Sequence, residues 1–184
     1  PEDVPMLTVS RICGSGIQSI IKGAQMIMLE EAATVVAGGM ENLSQAPHVI
    51  RGARDGWGLG RAPKVEDYMM TNLQDMTCGS FMAQTSDELC KIVDVERQEV
   101  DEYAALSHAR TAASIDNDVF EQEIVPVTIK SRRGEVVLTH KDEDHLVRDC
   151  SAESLSKLPT AFGPESLVTA GNASGIVDGA AAVV

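Results

Sequence analysis

Met6-Leu7-Thr8-Val9-Ser10-Arg11-Ile12-Cys13-Gly14-Ser15-Gly16-Ile17 is the stretch whose reading decides the fold. Its apolar-leaning, β-branched opening predicts a short buried strand over residues 6–10. Small residues surround Cys13, and a helical pattern begins at Ile17. The thiol therefore sits at a strand-to-helix junction, beside the positive end of a helix. Backbone N–H groups and the helix dipole favour the thiolate there, and the thiolate is the reactive form. Gly14 and Gly16 carry no Cβ, so a substrate can approach the backbone closely. The arrangement suits a nucleophile that forms a covalent intermediate. Taken alone, the pattern leaves a second reading open, because a single cysteine near a strand end is commonly a small buried hydrophobe.

Working outward, apolar residues fall at Ile17, Ile20, Ile21, Ala24, Ile27 and Met28. That spacing predicts a helix to about Glu31, with Lys22, Gln25 and Glu30 on its other side. Ala33-Thr34-Val35-Val36-Ala37 reads as a second buried strand, closed by Gly38-Gly39. Strand, helix, strand at this length is a βαβ unit, which predicts parallel, neighbouring strands. Residues 41–80 are rich in Gly, Pro, Asp and Asn and read as an excursion from the sheet. Long excursions of this kind are solvated insertions or functional loops.

Further on, a helix is expected from Phe81 to Val93, and a longer one from Glu96 to Ile115 capped by Asp94. Its face carries Val100, Tyr103, Ala104, Ser107 and Thr111. Ile124–Ile129 alternates like a strand, with Pro126 marking an edge. Arg132-Arg133-Gly134 turns it into a partner over Glu135–Thr139, a hairpin. The acidic run Lys141-Asp142-Glu143-Asp144 reads as solvated surface. Ala152–Leu158 forms a short helix that Pro159 stops. Ala180–Val184 reads as the start of a buried strand with no turn behind it. With a core strand also close to the first residue, this predicts an internal segment of a larger fold.

Composition narrows the class. Of 184 residues, 43% are apolar but only 3% aromatic, so Ala, Val, Ile, Leu and Met must fill the core. That favours α/β packing over a sandwich. A net charge of −13 disfavours a general nucleic-acid binder or an anionic-membrane binder. No run reaches the length of a membrane span, and no secretory signal opens the sequence. Cys13, Cys78, Cys90 and Cys150 are widely spaced, with no CxxC and no Cys/His ligand pattern. This argues against zinc and against a disulfide framework, and fits a bacterial cytoplasm or an organelle.

Three motifs then bear on the family. Val9-Ser10-Arg11-Ile12-Cys13-Gly14-Ser15-Gly16-Ile17-Gln18-Ser19 resembles the segment around the nucleophilic cysteine of the CoA-dependent β-ketoacyl thiolases. Gly38-Gly39-Met40-Glu41-Asn42-Leu43-Ser44 resembles the Gly-Gly-Met-Glu-Ser-Met-Ser motif that follows it. Thr169-Ala170-Gly171-Asn172-Ala173-Ser174-Gly175 is similar to the Ala-Gly-Asn-Ala-Ser-Gly motif. They occur in family order and span nearly the whole chain. The resemblance implies an α/β thiolase fold: two similar halves stacked as a five-layered αβαβα core, with an α+β loop domain inserted in the first half. Residues 1–42 would be part of the N-terminal core, 43–168 the CoA-binding loop domain, and 169–184 the return to the core strand.

The chemistry implied is a reversible Claisen condensation, or thiolytic cleavage of a 3-ketoacyl-CoA, by acyl transfer through Cys13. Its backbone N–H would contribute to an oxyanion hole. The activating histidine and a second cysteine belong to Gly-His-Pro and Cys-Ile-Gly-Gly-Gly motifs, which this chain does not contain. His48, His108, His140 and His145 sit in no such motif and none is assigned. Carried over by motif, Ser174 would bond the pantetheine, and Ala170 would line the same channel. Phe162 would pack near the adenine or pantetheine end. Met82, Leu73 and Ser154 would line the pocket, and Arg148 would meet the adenine-phosphate end. Met82-Ala83-Gln84-Thr85-Ser86-Asp87 departs from the family pattern Met-Gly-x-Thr-Ala-Glu at Ala83, Ser86 and Asp87. Phe81 stands where short-chain acetoacetyl-CoA thiolases tend to carry His, which points to the broader 3-ketoacyl-CoA thiolases. No cofactor beyond CoA as substrate is implied, and no nucleic acid or membrane. Homodimer or homotetramer assembly is implied, with Trp57 either a subunit contact or an exposed loop aromatic. Two other readings compete: a non-catalytic CoA-binding or assembly module, and a β-ketoacyl synthase relative. The Ala-Gly-Asn-Ala-Ser-Gly motif and the loop domain argue against the synthase.

Overall fold

The computed structural model describes residues 3–184, which separate into two compact units. One comprises the chain to Asn72 together with Ile176–Val184, and the other is Leu73–Gly175. These boundaries differ from the expected 42/43 and 168/169. In the first unit, Ser44 is tied by its N–H and its hydroxyl to the Asp178 carboxylate, which joins the 43–72 segment to the returning strand. In the second, Asn172 bonds Asp101, which keeps the 169–175 turn with the long helix there.

In the first unit, helix α1 (Ser15–Met28) packs on strand β1 (Ala37–Glu41), which pairs antiparallel with strand β6 (Gly179–Val183). The pairing runs Ala37 with Val183 to Glu41 with Gly179. This corrects the βαβ expectation at three points. Residues 6–10 form no strand, and Met6 and Leu7 are exposed rather than buried. A strand exists only where a neighbour takes up its N–H and C=O groups, and none does so here. The strand expected at 33–37 begins only at Ala37. Gly38 and Gly39 lie inside it rather than ending it. A Cβ on Gly38 would stand 2.2 Å from the Ala181 carbonyl oxygen of β6, so only glycine lets the two backbones approach this closely.

Helix α1 meets β1 through its smallest residues. A Cβ on Gly39 would lie 3.7 Å from the Gly16 Cα, and one on Gly23 would lie 3.0 Å from Val35 Cγ1. Gly23 is the helix's buried residue, and Ile17, Ile20, Ile21, Ile27 and Met28 remain exposed. A two-stranded sheet covers one line of the helix, not the whole apolar stripe that the spacing indicates. The rest of this unit holds elements absent from the sequence reading of 41–80. These are a 3₁₀ turn at Leu43–Gln45, strands β2 (His48–Ile50) and β3 (Val65–Asp67), and helix α2 (Tyr68–Asn72). β2 and β3 pair antiparallel, and Arg51 reaches Glu66 at 2.6 Å across them. The Arg51 guanidinium holds the Glu66 carboxyl below its ordinary range.

The hydrogen bonds from Ser44 hold the Asp178 carboxyl below its ordinary value. A carboxyl depressed on folding stabilises fully above its unfolded value, and that stability is lost as pH falls through the folded one. Denaturant midpoints should therefore fall with acidification below the ordinary carboxylate range of about 4. The Asp178→Asn variant should show a weaker acid dependence over the same window. Superimposable acid profiles for the two proteins would remove Asp178 from the account.

The second unit is built on helices α3 (Met82–Val93) and α4 (Arg97–Asp116), with hairpin β4–β5 (Val127–Lys130, Val136–His140) and short helix α5 (Ala152–Ser156). Both long helices fall within a residue or so of their expected bounds. Asp94 does not cap α4. It takes a left-handed conformation (φ 56°) and closes α3, its N–H bonding the Cys90 carbonyl. Glu96 begins α4, its N–H bonding the Glu99 carboxylate at 2.9 Å. The hairpin is antiparallel as expected, with a bulge at Ile129/Lys130 and Pro126 just ahead of β4. α5 ends at Ser156, two residues before the expected Leu158.

The core of this unit is polar as well as apolar. Leu155 is buried with Asp87, Ser166, Thr169 and Asp101, the last 1% exposed. Asp101 accepts from Arg97 Nε at 2.8 Å and from Asn172 Nδ2 at 2.9 Å. Arg97 also donates to the Leu155 carbonyl at 2.8 Å, which fixes α5 against α4. Each buried polar group thus finds a partner, as its desolvation requires.

Candidate active site

Cys13 stands two residues ahead of α1, exposed, with Gly14 at the N-cap. Gly14 has no side chain to cap the helix, and no side-chain hydrogen bond does so. The Gly16 and Ile17 N–H groups of the first turn therefore have no side-chain cap and are open to an anion or a developing oxyanion. The turn that presents the thiol is tightly bonded. Gly14 N–H donates to the Arg11 carbonyl at 3.0 Å, and Ser15 N–H donates to the Ile12 carbonyl at 3.1 Å. The Ser15 hydroxyl donates to the same Ile12 carbonyl at 2.7 Å and accepts from Arg11 N–H at 2.8 Å. Ser19 ties the helix to β1 by donating to the Gly38 carbonyl at 2.9 Å.

Cys150 gives an internal comparison. It too stands two residues ahead of a helix, but α5 has five residues and Ser151 caps it by accepting from Ser154 N–H. Cys150 is half-buried, and desolvation, with the Asp101 carboxylate adding to it, pushes its thiol up toward the protonated form. Cys13 has the longer helix, the uncapped turn and the open surface. Of the two, it has the setting of a nucleophile.

The residues expected to meet CoA fall into several places in the second unit. Leu73 and Met82 come together, Met82 N–H donating to the Leu73 carbonyl at 2.9 Å. Phe162 stacks on Phe81, the residue before Met82, with ring centroids 6.2 Å apart. Ser174 lines an open groove of about 610 Å³ with Val100, Tyr103, Ser107, His108 and His145. Ala170 lies on the same 169–173 turn that leads to Ser174, exposed. The Ser154 hydroxyl donates to the Ser151 carbonyl and accepts from its N–H, so it closes the cap of α5. Arg148 Nη1 meets both carboxylate oxygens of Asp116, at 2.9 and 3.1 Å.

The Ala170–Gly175 motif divides into framework and display. Thr169 is fully buried, its N–H donating to Asn172 Oδ1 at 2.7 Å. Asn172 Nδ2 donates to Asp101 and to the Leu167 carbonyl. A Cβ on Gly171 would stand 2.5 Å from methyl carbons of both Leu155 and Leu158, so this turn sits directly on α5. Ala170, Ala173, Ser174 and Gly175 are left exposed. Sequence reasoning missed Asp101 and Arg97, which hold this turn. The only local signal was an Arg and an Asp four apart on one helix.

Two of the four histidines have side-chain polar partners within hydrogen-bonding distance. His108 Nδ1 accepts from Val147 N–H at 3.2 Å, and His145 Nδ1 lies 3.2 Å from Glu143. Among the described residues, no group of three His, Cys, Asp or Glu side chains could hold a metal ion, and no helix is long and apolar enough to cross a membrane.

With this geometry established, comparison with known proteins is informative. The sequence profile of the thiolase N-terminal domain matches residues 1–184. Human mitochondrial 3-ketoacyl-CoA thiolase is 40% identical over 184 residues, all of this chain and 46% of the human protein. A probable acetyl-CoA acyltransferase of Staphylococcus aureus is 41% identical over 181 residues, 98% of this chain and 46% of its own. The chain thus spans about half the length of these relatives. The crystal structure of the human thiolase in complex with CoA superposes with a TM-score of 0.89 at 39% identity, over 99% of this chain and 45% of that one. Acetyl-CoA acetyltransferase from Syntrophomonas wolfei superposes with a TM-score of 0.84 at 36% identity, over 95% and 43%. The α/β fold expected from the three motifs is therefore the fold present, and the chain belongs to the thiolase family.

Proposed function

We propose that the protein carrying this chain is an acyl-CoA acyltransferase that condenses or thiolytically cleaves 3-ketoacyl-CoA through an acyl-Cys13 intermediate. What supports this reading above all is an exposed thiol ahead of an uncapped 14-residue helix, within the family's nucleophile motif. In the degradative direction the Cys13 thiolate attacks the 3-keto carbonyl. The Cα–Cβ bond breaks, acetyl-CoA leaves after its α-carbon takes a proton, and the shortened acyl group remains on sulfur. CoA thiol then loses a proton, attacks that thioester and releases acyl-CoA, freeing the Cys13 thiolate. The Cys13 N–H bonds the oxyanion in the acyl-transfer step. The general base and the second thiol come from motifs outside these residues.

The second unit binds CoA. Ser174 and Ala170 meet the pantetheine, Phe162, Met82, Leu73 and Ser154 line its path, and Arg148 meets the adenine-phosphate end. CoA is substrate and product, and no other cofactor takes part. The enzyme is a homodimer or homotetramer of fatty-acid metabolism, in a bacterial cytoplasm or an organelle. It binds neither nucleic acid nor membrane. Supporting the CoA assignment, a relative at 39% identity is described as crystallised with CoA. Intact-mass measurement of the purified natural protein incubated with acetyl-CoA or acetoacetyl-CoA tests the proposal. An acetyl adduct that maps to Cys13 is expected. A protein that binds CoA but never acquires an adduct would replace this reading with a CoA-binding module.

A further inference from the structure

We propose that Ser15 is a positioning residue for the Cys13 oxyanion-binding N–H, an inference that rests on the acyl-transfer reading above. Ile12 adopts a left-handed conformation, φ 51°. A β-branched residue adopts this region at a steric cost, so something must hold it. The hydroxyl of Ser15 does so from both sides. It donates to the Ile12 carbonyl at 2.7 Å and accepts from Arg11 N–H at 2.8 Å. The Ser15 N–H adds a second bond to the same carbonyl, at 3.1 Å. Arg11 is anchored further, its Nη1 donating to Gln18 Oε1 of α1 at 2.9 Å.

The consequence lies in the next peptide group. The Ile12 carbonyl and the Cys13 N–H belong to one planar trans unit, and they point to opposite sides of it. Binding the oxygen toward the start of α1 therefore fixes where the Cys13 N–H points. That N–H is the oxyanion donor in the proposed reaction, and such donors act only when aimed where charge develops. Ser15 touches neither the substrate nor the thiol in this role; it acts through the peptide that it orients.

The test compares Ser15→Ala and Ser15→Thr with the wild type in the intact natural protein. Three quantities are read: the rate of Cys13 acylation by acetyl-CoA, the affinity for CoA, and the rate of Cys13 alkylation by iodoacetamide. Alkylation needs the thiolate but forms no oxyanion. With Ser15→Ala, acylation should slow on the order of ten- to a hundredfold. CoA affinity and alkylation should stay within about twofold, and Ser15→Thr, which retains the hydroxyl, should recover most of the rate. Acylation at the wild-type rate in Ser15→Ala would overturn the proposal. So would loss of alkylation and CoA affinity in step with acylation, or a threonine variant as slow as alanine. A wild-type protein that binds CoA and is alkylated at Cys13 but never acylated would instead sink the acyl-transfer reading, and this proposal with it.

Discussion

Replacing Cys13 with alanine should abolish acyl transfer, lowering kcat by at least about ten-thousandfold while leaving CoA binding within about threefold. The proposed nucleophile, Cys13, lies in the first unit, and the residues proposed to bind CoA lie in the second. Removing one sulfur from an exposed turn takes away no packing, since Cys13 is at the surface. The turn's hydrogen bonds run through Arg11, Ile12, Gly14 and Ser15 and do not use the Cys13 side chain. The loss should therefore appear in kcat and in the disappearance of the acyl adduct, not in stability. Cys13→Ser tests the chemistry more sharply. It keeps size and shape but replaces the sulfur nucleophile with a hydroxyl, a far weaker one. Steady-state thiolysis and adduct mass on both variants decide the matter. A Cys13→Ala protein with more than a few per cent of wild-type turnover would place the nucleophile elsewhere.

The second large effect is on stability. Asp101→Ala should destabilise the second unit by about 3–5 kcal/mol, because it leaves the partners of a buried charge without it. Arg97 Nε and Asn172 Nδ2 both donate to this carboxylate, which is 1% exposed. Without it, Asn172 loses one of the bonds that hold the 169–173 turn, and Arg97 is left partly buried beside the Leu155 carbonyl. Asn172→Ala removes the neutral partner and should cost less, about 1–3 kcal/mol. The double variant should fall short of the sum of the two, because both changes break the same Asp101–Asn172 bond. Because Ser174 follows this turn, CoA affinity should weaken along with stability. Denaturant titration of the four proteins provides the measurement. Additive effects, or an Asp101→Ala loss under about 1 kcal/mol, would show that the network does not hold the turn.

Local elements were legible in the sequence. α1, α3, α4 and the β4–β5 hairpin were found because their signals lie within the segments themselves: helical spacing, a turn between alternating runs, a proline at an edge. One acidic residue near α4 was misassigned. Asp94 looked like a cap by type, yet its left-handed conformation ends α3, and Glu96 stands at the start of α4 with its N–H taken by the Glu99 carboxylate. Residue type at a helix boundary does not say which helix it serves; the backbone dihedral does. The strand expected at 6–10 failed for a different reason. β-propensity describes a surface that fits beside another strand, and it cannot supply that strand.

The sequence by itself determined the family, through three ordered motifs, and placed Cys13 and Ser174 in the motifs from which their proposed roles are carried over. The proposed nucleophile is readable because a reactive thiol needs small neighbours and a helix start adjacent in the chain. Only the tertiary structure decided that β1 pairs with β6 across some 140 residues, that Gly38 is required by the Ala181 carbonyl, and that Ser44 meets Asp178. It also decided that Asp101 and Arg97, unremarkable on a helix, hold the turn that carries the motif asparagine. Hydrogen bonds and ion pairs between distant segments depend on where the backbone brings them, and local pattern carries no record of that.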